Sequence, residues 1–98
     1  MEYNIHQLIS ANNDLTDILD ILIKFSSNQP VVFLESFYKF RENVSRMPFM
    51  FPKYNHNPKY RKAALAFGYL AFYRVNERKK EIVIYRILHS KQNIGDLI

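Results

Sequence analysis

From Tyr60 to Gln92 the chain reads YRKAALAFGYLAFYRVNERKKEIVIYRILHSKQ, three alternating apolar blocks separated by two breaks, and no other stretch constrains the fold as tightly. The first break is Phe67-Gly68, where glycine supplies the positive φ of a short hairpin turn. The second, Asn76-Glu77-Arg78-Lys79-Lys80, is polar and charged and leads into the β-branched run Ile82, Val83, Ile84. A three-strand meander is predicted, with strands at about 60 to 66, 69 to 75 and 81 to 88.

Closing the first turn on Phe67-Gly68 sets Leu65 opposite Leu70, Ala63 opposite Phe72 and Arg61 opposite Arg74. Side chains alternate with period two, so these share one face with Ile82, Ile84, Arg86 and Leu88. The other face takes Ala64, Ala66, Tyr69, Ala71, Tyr73, Val75, Val83, Tyr85 and Ile87. Both faces are apolar and both need a cover. Burying an unpaired guanidinium under a helix layer is costly, so the Tyr/Ala/Val face is assigned to the chain's own helices. The arginine-bearing face is left for a partner, and a one-residue slip in register would reverse part of this assignment.

The upstream half supplies those helices. Tyr3 to Ile9 alternates Tyr3, Ile5, Gln7 and Ile9 against Asn4, His6 and Leu8 and reads as a short strand. Ser10 to Asp14 reads as helix-capping sequence, with Asp14 and Asp17 where the helix dipole favours negative charge. Leu15, Ile18, Leu19, Leu22 and Ile23 then hold one apolar stripe as far as Phe25. After the break Ser26-Ser27-Asn28-Gln29, Pro30 suits a first helical turn. Phe33, Phe37, Phe40, Val44 and Met47 mark a second amphipathic helix that Pro48 stops. So short a connection makes the pair an antiparallel hairpin. Residues 47–58, with three prolines, form a loop that carries the chain from the helices to the sheet, packed over the core or offering an apolar docking edge. The tail after His89 makes at most one helical turn.

The expected architecture is therefore α+β, in the order β-α-α-β-β-β, with the helical hairpin packed on one face of a mainly antiparallel sheet. At 98 residues this is one domain, 1–98, with a modest core that a partner would help to complete. The absence of cysteine removes disulfides and thiol nucleophiles and fits a reducing cytoplasm. The N-terminal residues lack a signal-peptide pattern, and no apolar run is long enough to span a bilayer. Net charge is +5, unevenly placed: residues 1–52 hold four Lys/Arg and six Asp/Glu, residues 53–91 ten and two. The sheet half is thus basic, either as a solvated surface or as a field that steers an anionic partner.

Chemistry is sparse. His6, His56 and His89 are far apart with no cysteine to assist them, so neither a metal nor any other cofactor is expected. No phosphate-cradling glycine loop or serine nucleophile motif is present. RNA cleavage by a ribose 2′-hydroxyl needs a base, cationic donors on the phosphate and an acid for the leaving oxygen. Arg61, Arg74, Arg86, His89 and Lys91 offer some of these groups, and equally offer a protein-binding surface.

GYLAFYRV, a charged turn, then EIVIYRILHSKQ resembles the C-terminal half of the RelE/ParE toxins of bacterial type II toxin-antitoxin systems, nearer the ParE, or plasmid stabilisation, branch. The resemblance implies a RelE/ParE-like fold and a cognate antitoxin whose C-terminal segment wraps the toxin. It implies a target too: DNA gyrase, poisoned by binding, for a ParE-like toxin, or ribosome-bound mRNA, cleaved, for a RelE-like endoribonuclease. A ribonuclease here would use Arg61, Arg86, His89 and Lys91. Two roles of that family's set are vacant, since Leu65 stands where it has an arginine three residues before the hairpin glycine, and Leu97 where it has a C-terminal tyrosine. The preferred expectation is a ParE-like gyrase toxin; the alternatives are the RelE-like ribonuclease and a decayed, non-toxic member of the family. The antitoxin is expected on the arginine-bearing face, at Arg61, Leu65, Leu70, Phe72, Arg74, Ile82, Ile84 and Arg86, with Phe72→Asp abolishing its binding to a still-folded monomer.

Overall fold

The computed structural model describes residues 2–98. Strand β1 (Asn4–Gln7) is followed by helices α1 (Ile9–Ile23) and α2 (Gln29–Arg46), strands β2 (Arg61–Ala64), β3 (Tyr69–Asn76) and β4 (Glu81–His89), and a short helix α3 (Ile94–Leu97). The sheet runs β1-β4-β3-β2, antiparallel except that β1 pairs parallel with β4. Because β1 and β2 occupy opposite edges, the helical hairpin between them must cross the whole sheet. It covers one face and leaves the other without a layer.

The aromatic stripe of α2 forms that cover. Phe33, Phe37, Phe40 and Val44 are buried, and Phe33 meets Tyr69 edge-on at 5.4 Å while Phe40 meets Tyr73 at 5.6 Å. From α1 come Ala11, Ile18 and Leu22. Ile23 and Met47, expected on these stripes, lie in solvent, since each stripe has turned away from the sheet by the end of its helix. The capping role expected of Ser10 to Asp14 is not filled at those positions. Helix α1 begins earlier, at Ile9, with no side-chain cap, so Ser10 and Asp14 lie within it and face β4 instead.

The sheet departs from strict alternation twice, and each departure moves residues between faces. The β2–β3 turn holds three residues, Ala66, Phe67 and Gly68, because Leu65 N–H donates to Tyr69 O. Arg61 therefore pairs with Tyr73, Lys62 with Phe72, Ala63 with Ala71 and Ala64 with Leu70, one residue off the two-residue expectation. Phe67 (φ 61) and Gly68 (φ 80) are both left-handed; glycine holds this freely, whereas phenylalanine does so at a cost of about 1–2 kcal/mol. An alanine at 68 would also bring Cβ to 3.0 Å from His89 Nε2. The second departure is a β-bulge in β4. Tyr73 pairs with Ile84 but Phe72 with Arg86, so Tyr85 is the extra residue.

Together these put Ala63, Leu65, Tyr69, Ala71, Tyr73, Ile82, Ile84 and Ile87 in one core beneath the helices. Tyr69, Ala71, Tyr73 and Ile87 were expected there. Ala64, Val83 and Tyr85 were expected there too but are not in that core, and Ala63, Leu65, Ile82 and Ile84 take their place. On the opposite face Phe72 and Leu88 are buried in a smaller cluster under Tyr54 of the 47–60 loop and Ile94 and Ile98 of the tail.

Tyr73 joins these layers at the sheet's centre, and its hydroxyl donates to Pro48 O at 2.9 Å. Burial pushes that hydroxyl up from the usual 10 to about 12, against the opposing pull of the Arg61 charge. Below pH 10 folded and unfolded chains both keep this proton. Between pH 10 and about 12 only the unfolded chain releases it, so stability should fall by about 1.4 kcal/mol per pH unit. Urea unfolding at pH 8 and pH 11 measures that slope. Tyr73→Phe should remove it while costing about 1 kcal/mol at pH 8, because Pro48 O loses its donor.

Candidate functional site

Strand β1 ends at Gln7, but β4 runs on to His89, so the outer edge of β4 changes neighbour halfway along. Leu8 N–H donates to Ile84 O as the last strand-like bond. From there α1 takes over. Ser10 Oγ donates to Tyr85 O at 2.7 Å, and Ile87 N–H donates to Asp14 Oδ2 at 2.9 Å. The same carboxylate receives Arg86 bidentately, Nε to Oδ2 at 2.8 Å and Nη2 to Oδ1 at 2.9 Å. Arg86 Nη1 continues to Leu97 O in α3 at 3.1 Å. The hydrogen bonds that Arg86 donates to Asp14 hold its guanidinium above the ordinary arginine range, outweighing the desolvation that opposes it. Arg86, a candidate phosphate clamp in the sequence, is thus a structural strut.

The other candidate catalytic residues are engaged locally as well. Arg61 pairs with Tyr73 and so lies on the helix-covered face, while Arg86 pairs with Phe72 on the opposite one. Arg61 Nη1 donates to Phe51 O at 2.7 Å, and its guanidinium lies 5.0 Å from the centre of the Phe49 ring. His89 stands edge-on to Tyr69 at 4.9 Å and accepts Lys91 N–H at Nδ1, which leaves its proton on Nε2. The Lys91 side chain is exposed. These four do not converge on one point.

The surface expected for the antitoxin is divided in the same way. Leu65, Ile82 and Ile84 are buried beneath the helices, moved there by the three-residue turn and the bulge. Phe72 is fully buried on the other face under Tyr54, whose ring lies 5.2 Å away. An aspartate there would bury an unpaired charge, so Phe72→Asp would unfold the chain rather than leave a folded monomer. Leu70 is half-buried and Arg74 exposed.

What stays open is a cationic and aromatic patch of which the sequence singled out Arg74 alone. It takes Lys62 from β2, Arg74 from β3 and Val83 and Tyr85 from β4, with Tyr60 just ahead of β2. The Tyr60 and Tyr85 rings meet edge-on at 5.2 Å, and Arg74 lies 5.8 Å from the Tyr85 ring centre. Lys62 Nζ lies 5.7 Å from the Tyr54 ring. Among the described residues the ion pairs are Arg86–Asp14 and Arg46–Glu42, so Lys53, Lys59, Lys62, Arg74 and Arg78 all lack a carboxylate partner. Arg78 lines the same hollow as Arg74, Val83 and Tyr85, about 460 Å³ in volume. The patch can bind anions and apolar side chains together. No cluster of metal-binding side chains forms among the described residues, and none of their helices is long and apolar enough to cross a membrane.

Residues 9–94 match the family described as the ParE toxin of type II toxin-antitoxin systems, parDE. The chain belongs to the ParE toxin family. The toxin shares its fold with the E. coli RelBE toxin-antitoxin complex (TM-score 0.67, 18% identity, 92% of this chain and 99% of that one). It is similarly close to the chromosomal ParDE system of P. aeruginosa (0.63, 22%, 90% and 96%) and to the RelBE2 complex of Mycobacterium tuberculosis (0.58, 20%, 91% and 99%). Identities this low speak for the fold alone. No curated protein matches the toxin in sequence.

Asp14→Asn tests the strut. It should cost about 2–3 kcal/mol in urea unfolding, since Arg86 loses its charged partner and Ile87 N–H keeps only a weaker acceptor. Arg86→Lys should recover little, because an ammonium cannot make the bidentate contact.

Proposed function

We propose that this ParE-family toxin arrests DNA synthesis by binding DNA gyrase, and that a cognate antitoxin neutralises it through an acidic segment docked on the open face of the sheet. One observation carries the first half: the two arginines that RNA cleavage would need are apart and engaged. Arg61 and Arg86 project from opposite faces, one held by backbone carbonyls and the other by Asp14 and Leu97. A phosphate cannot be clamped by both, whereas a binding toxin has no need of such a clamp. The unpaired cations of the open face support the second half. An acidic segment laid across Lys62, Arg74 and Arg78 gains charge-assisted bonds and covers Val83 and Tyr85. Arg74 and Leu70, both named for the antitoxin from the sequence, belong to this proposed contact, whereas Leu65, Ile82 and Ile84 lie in the core beneath the helices.

Inducing the toxin alone in a bacterial host and pulse-labelling DNA and protein synthesis over the first minutes tests the target. DNA synthesis should fall first, and in His89→Ala and Lys91→Ala DNA synthesis should still be what falls first. Protein synthesis falling first, with either substitution abolishing it, would replace this reading with the RelE-like ribonuclease. For the antitoxin, Lys62→Glu with Arg74→Glu should weaken binding by at least about ten-fold in 0.1 M salt and by less in 0.5 M, because exposed charges are screened.

A further inference from the structure

The end of the helical hairpin and the β2–β3 turn meet at one end of the molecule, where three large apolar side chains stay in solvent. Phe25 is 73% exposed, Ile21 45% and Phe67 41%. All three line one hollow of about 390 Å³ whose floor includes Tyr69 and His89. A second hollow, about 440 Å³, shares Ile21, Tyr69 and His89 with it and runs on between α1 and the end of β4, with Asp17 on one wall and Lys91 on the other. Along the chain Asp17, Ile21 and Phe25 are each four residues apart, so they form one strip beside the two hollows. The result is a continuous groove, apolar at the Phe25 end and acidic along α1. From Asp17 to Ile21 the α1 wall rises about 6 Å, one turn of a helix, and Phe25 lies just past the helix end.

Two features separate this groove from scattered exposure. Phe67 holds a left-handed backbone, φ 61, where glycine or asparagine sits without strain, yet much of its ring remains in water. Asp17, in a chain of net charge +5, takes part in none of the ion pairs among the described residues. A partner complementary to both brings an apolar anchor and a basic residue. An acidic segment is drawn instead to the cationic patch of Lys62, Arg74 and Arg78.

We infer that this groove seats an amphipathic segment of the toxin's target protein, with an aliphatic or aromatic side chain against Phe25 and Phe67 and a lysine or arginine against Asp17. The inference rests on the reading that the toxin acts by binding a protein, and it gives target and antitoxin different surfaces. Phe25→Ser with Phe67→Asn removes the anchor site, and Asp17→Lys reverses the wall charge. Circular dichroism and thermal melting establish that each full-length variant is folded. Each should need at least about ten-fold more toxin than wild type to halve DNA synthesis after induction, and should hold purified gyrase correspondingly more weakly. Affinity for the cognate antitoxin should stay within about two-fold. Wild-type potency in the folded double variant overturns the inference. So does parallel loss of antitoxin binding, which would give the groove to the antitoxin, or a wild-type dimer that the variant dissolves in sedimentation, which would give it to a second copy. A wild type that stops protein synthesis instead of DNA synthesis overturns the gyrase reading alone, and the same variants then decide the groove by their potency against protein synthesis. A wild type that stops neither overturns both.

Discussion

The fold depends on the meeting of one carboxylate with one unpaired strand edge. Strand β4 outlasts β1, and a buried backbone N–H without a partner is costly. Asp14 supplies the partner to Ile87, and with the same two oxygens fixes Arg86, which in turn holds Leu97. Helix α1, the sheet and the tail are thereby registered to one another through one pair of side chains. The bulge at Tyr85 makes this geometry available, because it turns successive β4 residues toward that edge and toward the open face.

That arrangement also decides which chemistry the molecule can offer. Cations that look like a phosphate site along the chain are distributed over two faces, and two of them serve as braces. Those left free gather with tyrosines on the uncovered side of the sheet, where the apolar part is already covered by Tyr54, Ile94 and Ile98. The remaining surface is therefore polar at its margin and aromatic in its middle, the makeup of a protein contact.

Much of this was legible in the residues. The α2 stripe from Phe33 to Val44, the stop at Pro48, the charged turn after Asn76 and the strand Tyr69 to Val75 all follow from periodicity and turn chemistry. Face assignment failed where one residue was added, at Ala66 in the turn and at Tyr85 in β4. Neither left a readable mark. Gly68 serves a two- or a three-residue turn equally well, and residues 82 to 88 are apolar on both parities save for Arg86, so the shift of the inward set from Ile82 and Ile84 to Ile87 is hidden. Asp14 was misread because an acid near a helix start has a ready local explanation, and only the tertiary fold shows it reaching 73 residues along the chain. The open patch was missed for the same reason, since Lys62 joins Phe72 and Arg86 in one row only in the shifted register.

The parallel pairing of β1 with β4 joins Asn4 to Glu81, nearly the full length of the chain. Contacts that distant close last, because the entropy of the loop is lost before the pairing repays it. On a ribosome the helical hairpin can form early, but its apolar face has no sheet centre to meet until β4 emerges. Folding of this toxin is therefore deferred until β4 has emerged, and a product without β4 should lack not just that strand but the means of assembling the rest.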